Sequence, residues 1–292
     1  MTHTTRDNRA GRTHLTLRPQ HWVRFIATLL ACVASFSAHA LDNRSYSNYK
    51  VIKHPGKLSL VYYYADNNHD LNNPSLVVVA GRRFQIDFGV RPPTVNSVFL
   101  LERSEVQPGD DVLDMGTGSG FHAIFAASTA RRVVATDIDS LAIDNAKRNA
   151  REHQVADKID FRVGDLFGAV RADEQFDVIY LNLAYPFDDK SRERWKLHER
   201  FFADVGAFMK PQGRIYYQIG LLDNIPYVQT MLARNQLQIM RLEMVNAVEV
   251  AREPVMMMIQ KAPNANAPAL NPTAGGTPLP ATSAAPAPLP AR

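Results

Sequence analysis

The segment Val112-Leu113-Asp114-Met115-Gly116-Thr117-Gly118-Ser119-Gly120 reads as a buried strand ending in an acid, then a glycine-rich turn, then a helix beginning near Phe121. Alternate glycines let the backbone turn tightly and approach a ligand closely. The helix that follows offers free N–H groups at its start. A strand, glycine turn and helix in that order make a cradle for a small molecule, most often a nucleotide or nucleoside derivative. The spacing excludes two common occupants. The dinucleotide fingerprint needs Gly-x-Gly-x-x-Gly, but here the third glycine falls one position early, at Gly120, and Phe121 stands where that pattern has glycine. A phosphate loop needs Lys-Ser/Thr after its glycines, and none follows. Asp114, just before the turn, would repel a pyrophosphate and suit a cationic ligand.

Working outward, Arg132-Val133-Val134-Ala135-Thr136-Asp137 is a β-branched strand that also ends in an acid. Asp137 lies about 20 residues past the turn, where an acid can accept from both ribose hydroxyls. A helix over Leu141–Glu152 follows. The third strand, Ile159–Val163, runs into Gly164-Asp165-Leu166-Phe167. Three successive strand ends thus carry acids, and they predict an acidic rim along the carboxyl edge of a parallel sheet, where open α/β sheets bind ligands.

These residues resemble a class I S-adenosylmethionine-dependent methyltransferase. Asp114, Gly116, Gly118 and Gly120 match the first motif of that superfamily, and the likeness spans about Arg91 to Lys261. The resemblance implies a seven-stranded Rossmann-like sheet with helices on both faces and the last strand antiparallel. It implies S-adenosylmethionine as cofactor. The turn, with Thr117, would embrace the methionine part; Asp137 would hold the ribose; Ile138 would pack on the adenine; Asp165, with Leu166 beside it, would accept from the adenine amino group.

The fourth strand, Phe176–Leu181, runs into Asn182-Leu183-Ala184-Tyr185-Pro186. This is similar to the Asn-Pro-Pro-Tyr motif of amino- and amide-methylating enzymes, in which the Asn carbonyl accepts from the target NH₂ and the aromatic ring stacks on the target plane. Asn182 and Tyr185 are therefore the expected catalytic pair. Leu183 and Ala184 replace both prolines, so the rigidity that prolines impose is absent. Upstream, Val90-Arg91-Pro92-Pro93-Thr94 is similar to a segment of the HemK-like protein-glutamine methyltransferases, without its first Pro and with Val95 in place of its Glu. His122 is expected at the surface, and Arg192–Arg200, which includes His198, as a solvated helix face. No His/Asp/Glu cluster has metal-ligand spacing, so no metal is expected.

The chain has 292 residues, 33 basic and 29 acidic. Five arginines and one aspartate lie in residues 1–40, and Arg292 is the only charge after Lys261. The middle is therefore near neutral, so the basic balance is a terminal effect and no evidence for a nucleic-acid-binding face. In residues 1–40 the arginines precede an apolar run, Phe25–Phe36, and Ala38-His39-Ala40 follows as a small-x-small cleavage signal: a signal peptide or short membrane anchor. The sole cysteine, Cys32, lies in that run. Residues 41–90 read as a small β-rich segment with strands over Leu58–Tyr64, Leu76–Ala80 and Arg83–Asp87, and Val95–Glu102 reads as a helix. Residues 91–261 form the methyltransferase-like domain, with later elements over Gly213–Gly220, Ile225–Arg234, Leu237–Met244 and Pro254–Gln260. Residues 262–292, rich in Pro and Ala, cannot bury a core. The acceptor is expected to be a protein amide or amine. The alternatives are a small lipophilic carboxyl or hydroxyl compound at the membrane, and a non-catalytic exported binding domain. The leader points to export or inner-membrane attachment, whereas a cofactor made in the cytosol points to a cytoplasm-facing domain.

Overall fold

Strands buried on both faces read as continuous apolar runs, and three such runs of this chain, with an alternating strand at their edge, form most of the parallel part of a sheet. They are β5 (Asp111–Met115), β6 (Arg132–Asp137), β7 (Ile159–Val163) and β8 (Phe176–Leu181). The computed structural model describes residues 48–52, 57–65, 73–184, 192–220, 222–244 and 255–263. The leader, Tyr185 and the tail from residue 264 lie outside the described residues. The remaining elements are β1 (Asn48–Ile52), β2 (Leu60–Tyr64), β3 (Leu76–Val79), β4 (Arg82–Gln85), α1 (Val95–Arg103), α2 (Phe121–Ala126), α3 (Ser140–Glu152), α4 (Arg192–Asp204), β9 (Met209–Ile219), α5 (Ile225–Arg234), β10 (Leu237–Met244) and β11 (Val255–Lys261).

The large sheet has the order β10-β11-β9-β8-β5-β6-β7, with β11 antiparallel to both of its neighbours. This is the seven-stranded Rossmann-like sheet that the resemblance implies. Side chains alternate across it. Tyr180 and Tyr216 face one apolar cluster with α1, α2 and α3, while Ile179, Leu181 and Tyr217 face another with α4 and α5.

The four-stranded antiparallel sheet β1-β2-β3-β4 shares the first of these clusters. Phe84, fully buried, meets Phe121 at 5.3 Å and Phe125 at 6.0 Å between ring centroids. Truncating such a ring to alanine costs roughly 3–5 kcal/mol. The edge of β4 is closed by two asparagines of α3. Gln85 N–H donates to Asn149 Oδ1 at 2.9 Å, and the Asn145 and Asn149 amides both donate to the Gln85 carbonyl at 3.0 Å. These bonds satisfy edge groups that would otherwise be buried without partners. They also fix where the chain leaves the small sheet, so that Gly89–Arg91 pass beside the glycine turn.

Three features differ from the sequence reading. The strand expected over Gly213–Gly220 starts at Met209, because the pairing with β8 jumps from Phe176–Met209 to Val178–Arg214 and absorbs the Pro-Gln-Gly stretch as a bulge. The solvated face expected for Arg192–Arg200 is present, with Arg194, Lys196, Glu199 and Arg200 exposed, but the opposite face of the same helix fully buries His198, Phe201 and Phe202. His122, expected at the surface, is buried against Tyr180, with stacked rings 5.0 Å apart. Among the described residues no helix is long and apolar enough to cross a membrane.

Candidate active site

The glycine turn is built by left-handed backbone. Gly116, Gly118 and Gly120 have φ of 73°, 55° and 86°, a region that side chains disfavour. The N–H groups of Gly116 and Thr117 donate to the Thr136 carbonyl at 2.8 and 2.9 Å, which ties the turn to the end of β6. Asp114 is buried beneath it. One of its oxygens accepts from Thr117 Oγ1 at 2.6 Å and from the Ala123 N–H at 3.0 Å. The acid thus closes the turn onto the first turn of α2, where the helix dipole favours an anion. Burial pushes its carboxyl above the ordinary range. The nearest imidazole, His122, has Nδ1 3.9 Å from Asp114 Oδ1 and is pushed by its own burial toward the neutral form.

At the carboxyl edge of the sheet lies a cavity of about 320 Å³, within the range of small-molecule sites. Of the residues singled out from sequence, Gly116, Gly118, Asp137, Ile138, Asp165 and Leu166 line it, and Asn182 lines it too. Asp114, Thr117 and Gly120 do not; they hold the shape of the turn. Asp137 accepts from the Gly118 N–H at 2.9 Å and from the Asp139 N–H at 3.0 Å, one bond on each carboxylate oxygen. Each oxygen keeps a lone pair for a further donor. Asp165 is paired with Arg200 of α4 at 2.7 Å. Ile138 is 71% exposed, an uncovered apolar side chain at the cavity wall. Tyr185 lies outside the described residues.

Two features of the wall escaped the sequence reading. Leu183 covers Gly116 so closely that a Cβ there would stand 2.2 Å from Leu183 Cδ2. His198 pins the loop after β8: its Nε2 donates to the Ala184 carbonyl at 3.2 Å, and its Nδ1 accepts from the Tyr217 hydroxyl at 3.0 Å. The spacing His198, Phe201, Phe202, Val205 marks a buried helix face and was the available signal.

The residues fit S-adenosylmethionine. The floor is glycine where a Cβ would fill the space, the carboxylate of Asp137 has accepting capacity toward vicinal hydroxyls, and the side wall at Ile138 is apolar. Sheet order, glycine turn and acid-ended second strand together define the class: the chain has the fold and the cavity floor of the class I S-adenosylmethionine-dependent methyltransferases, whose cofactor is S-adenosylmethionine. Within that class, residues 45–188 match the family model described as ribosomal protein L11 methyltransferase.

Relatives bearing that name include one from Geobacillus thermodenitrificans, 34% identical over 49% of this chain and 42% of the relative. Another, from Caldicellulosiruptor bescii, is 35% identical over 51% and 45%. The chain therefore spans less than half the length of these relatives. None of their names specifies the HemK-like subtype. Among solved structures, Trm5b from Pyrococcus abyssi superposes with a TM-score of 0.52 at 15% identity, over 73% of this chain and 63% of that one. A tRNA methyltransferase from M. jannaschii gives 0.51 at 16%, over 70% and 61%. These two likenesses concern the fold alone.

Proposed function

We propose that this protein transfers a methyl group from S-adenosylmethionine to a nitrogen of a protein acceptor, with ribosomal protein L11 as the first candidate. One observation carries the reading: Asn182, at the carboxyl end of β8, lines the same cavity as the glycine turn and Asp137. Gly116 and Gly118 would receive the methionine part of the cofactor, Asp137 the ribose, Ile138 and Leu166 the adenine. Asp165 would accept from the adenine amino group once Arg200 yields part of the carboxylate. The cofactor supplies a methyl group on a cationic sulfur, which departs as a neutral thioether when the methyl moves to a nucleophile. The protein supplies orientation. Asn182 Oδ1 accepts a hydrogen bond from the acceptor N–H and turns its lone pair toward the cavity, and Tyr185 packs against the acceptor. Orientation of this kind is worth several kcal/mol. Leu183 over Gly116 keeps water from that end of the cavity.

A protein acceptor is favoured because the family model that matches residues 45–188, Asn182 included, carries the name of an L11 methyltransferase, as do the curated relatives. The test is labelled methyl transfer by the full chain to recombinant L11 of the same organism. The reading predicts labelled L11 whose formation drops at least 100-fold in Asn182→Ala. An unlabelled L11 beside a labelled second protein would move the acceptor; turnover unchanged in Asn182→Ala would remove Asn182 from its role.

A further inference from the structure

An Asn amide can present either its oxygen or its NH₂ group to a ligand, and the two ends select opposite partners. In this chain the amide of Asn182 is held from behind. Its Nδ2 donates to Ser97 Oγ at 3.0 Å, and among the described residues this is the only hydrogen bond the amide makes. Ser97 lies in the first turn of α1 and is buried.

Two contacts fix the position of Ser97. Thr94 and Ser97 form a reciprocal capping box: the Thr94 N–H donates to Ser97 Oγ at 3.1 Å and the Ser97 N–H to Thr94 Oγ1 at 3.4 Å. The Ser97 carbonyl accepts from His122 Nε2 at 3.1 Å, which joins α1 to the helix after the glycine turn. A hydroxyl has two lone pairs and one proton. The Thr94 N–H and the Asn182 amide take the lone pairs, and the proton is left for Thr94 Oγ1, 3.4 Å away.

We propose that Ser97 is the positioning residue of the acceptor site: by taking an N–H of Asn182 it turns Asn182 Oδ1 toward the cavity and makes the site select acceptors that bring an N–H, amines and amides, over carboxylates. The proposal rests on Asn182 being the acceptor-binding residue. With the amide turned over, the same position would present an NH₂ group and suit a carboxylate.

The test is side-chain amide NMR on the full chain with ¹⁵N-asparagine, the Asn182 pair being assigned by its loss in Asn182→Asp. One Asn182 amide proton should exchange at least 10-fold more slowly than those of exposed asparagines. Ser97→Ala should abolish that protection and Ser97→Thr restore it. Thr94→Ala, which loses the cap but keeps the Ser97 hydroxyl, should preserve it. Fast exchange in the unsubstituted protein overturns the proposal without requiring any Ser97 variant to fold. If L11 is methylated, Ser97→Ala should lower kcat about 10-fold with little change in KM, and should cost nothing further in an Asn182→Ala background; independent losses would overturn the proposal. If L11 is not methylated, that acceptor falls, and the exchange data still decide the role of Ser97.

Discussion

Replacing Gly118 and Gly120 separately by alanine should reverse their order between stability and cofactor affinity. Both residues have left-handed backbone, with φ of 55° and 86°. Each alanine therefore costs roughly 1–2 kcal/mol of conformational strain. Their surroundings differ. A Cβ at Gly118 meets nothing closer than the Arg91 carbonyl at 3.6 Å, whereas one at Gly120 would lie 3.0 Å from Ala146 Cβ, 3.2 Å from Ala146 Cα and 3.2 Å from Ile124 Cδ1. Ala146 belongs to the buried face of α3, so relief requires moving a helix. Overpacking of this kind adds roughly 1–3 kcal/mol. At roughly 2–4 °C per kcal/mol for a domain of this size, Gly118→Ala should lower Tm by about 4 °C and Gly120→Ala by about 10 °C. Affinity should run the other way. Gly118 lines the cavity, and its new Cβ would narrow the gap to Arg91; Gly120 stands outside the lining. Calorimetric titration with S-adenosylmethionine should show at least a 10-fold weaker Kd for Gly118→Ala and a smaller change for Gly120→Ala below its Tm. Equal Tm losses, or tighter binding by Gly118→Ala than by Gly120→Ala, would refute this account of the turn.

Glu174 is ringed by Arg132, Arg162 and Arg171, and the Arg162 guanidinium foremost holds its carboxyl down at about 2. Its stabilisation is complete above the unfolded value near 4.5 and is lost as pH falls toward 2. Glu174→Gln should cost about 3 kcal/mol at pH 7 by urea denaturation, with an acid slope shallower than that of the parent protein; an unchanged midpoint would contradict this. His122 and His198 are both pushed below the ordinary imidazole range by burial. The unfolded chain therefore binds protons below pH 6.5 that the folded chain does not, and stability should fall on acidification by up to about 1.4 kcal/mol per pH unit for each imidazole. His198→Gln should remove one proton from that slope; a slope unchanged between pH 7.5 and 5.5 would show that His198 titrates freely. Gln218, fully buried in β9, has neither amide atom partnered among the described residues. Gln218→Met should raise stability by about 1–2 kcal/mol; a lower Tm would mean that the amide is satisfied in solution.

β5, β6 and β8 were legible because each is a short apolar run closed by an acid or an asparagine, and burial on both faces leaves no other use for such runs; β7, at the sheet edge, was legible from its alternation of apolar and charged residues before a turn. The glycine turn was legible for a second reason: three alternate left-handed positions have little meaning outside a βα cradle. The set of acids was only half legible. Asp137 and Asp165 face the cavity, but Asp114 points down into α2, and one strand pattern cannot say which way its final side chain turns. α4 was read from its charges, although His198, Phe201, Phe202 and Val205 recur at helical spacing. The hydrogen bond between Ser97 and Asn182 joins residues 85 positions apart and has no local signature.

Calorimetric titration of the full chain and of its Asp137→Asn variant with S-adenosylmethionine, with NAD as the control ligand, decides whether the cavity beside the glycine turn holds that cofactor. Asn in place of Asp137 keeps the shape of the side chain but removes its charge and one accepting position, and hydrogen bonds to a charged group are worth about 1.5–3 kcal/mol each. S-adenosylmethionine should bind at one site, with affinity weakened at least 10-fold by Asp137→Asn, and NAD should give no heat. Absence of S-adenosylmethionine binding, or equal affinity in the variant, would contradict that assignment of the cavity.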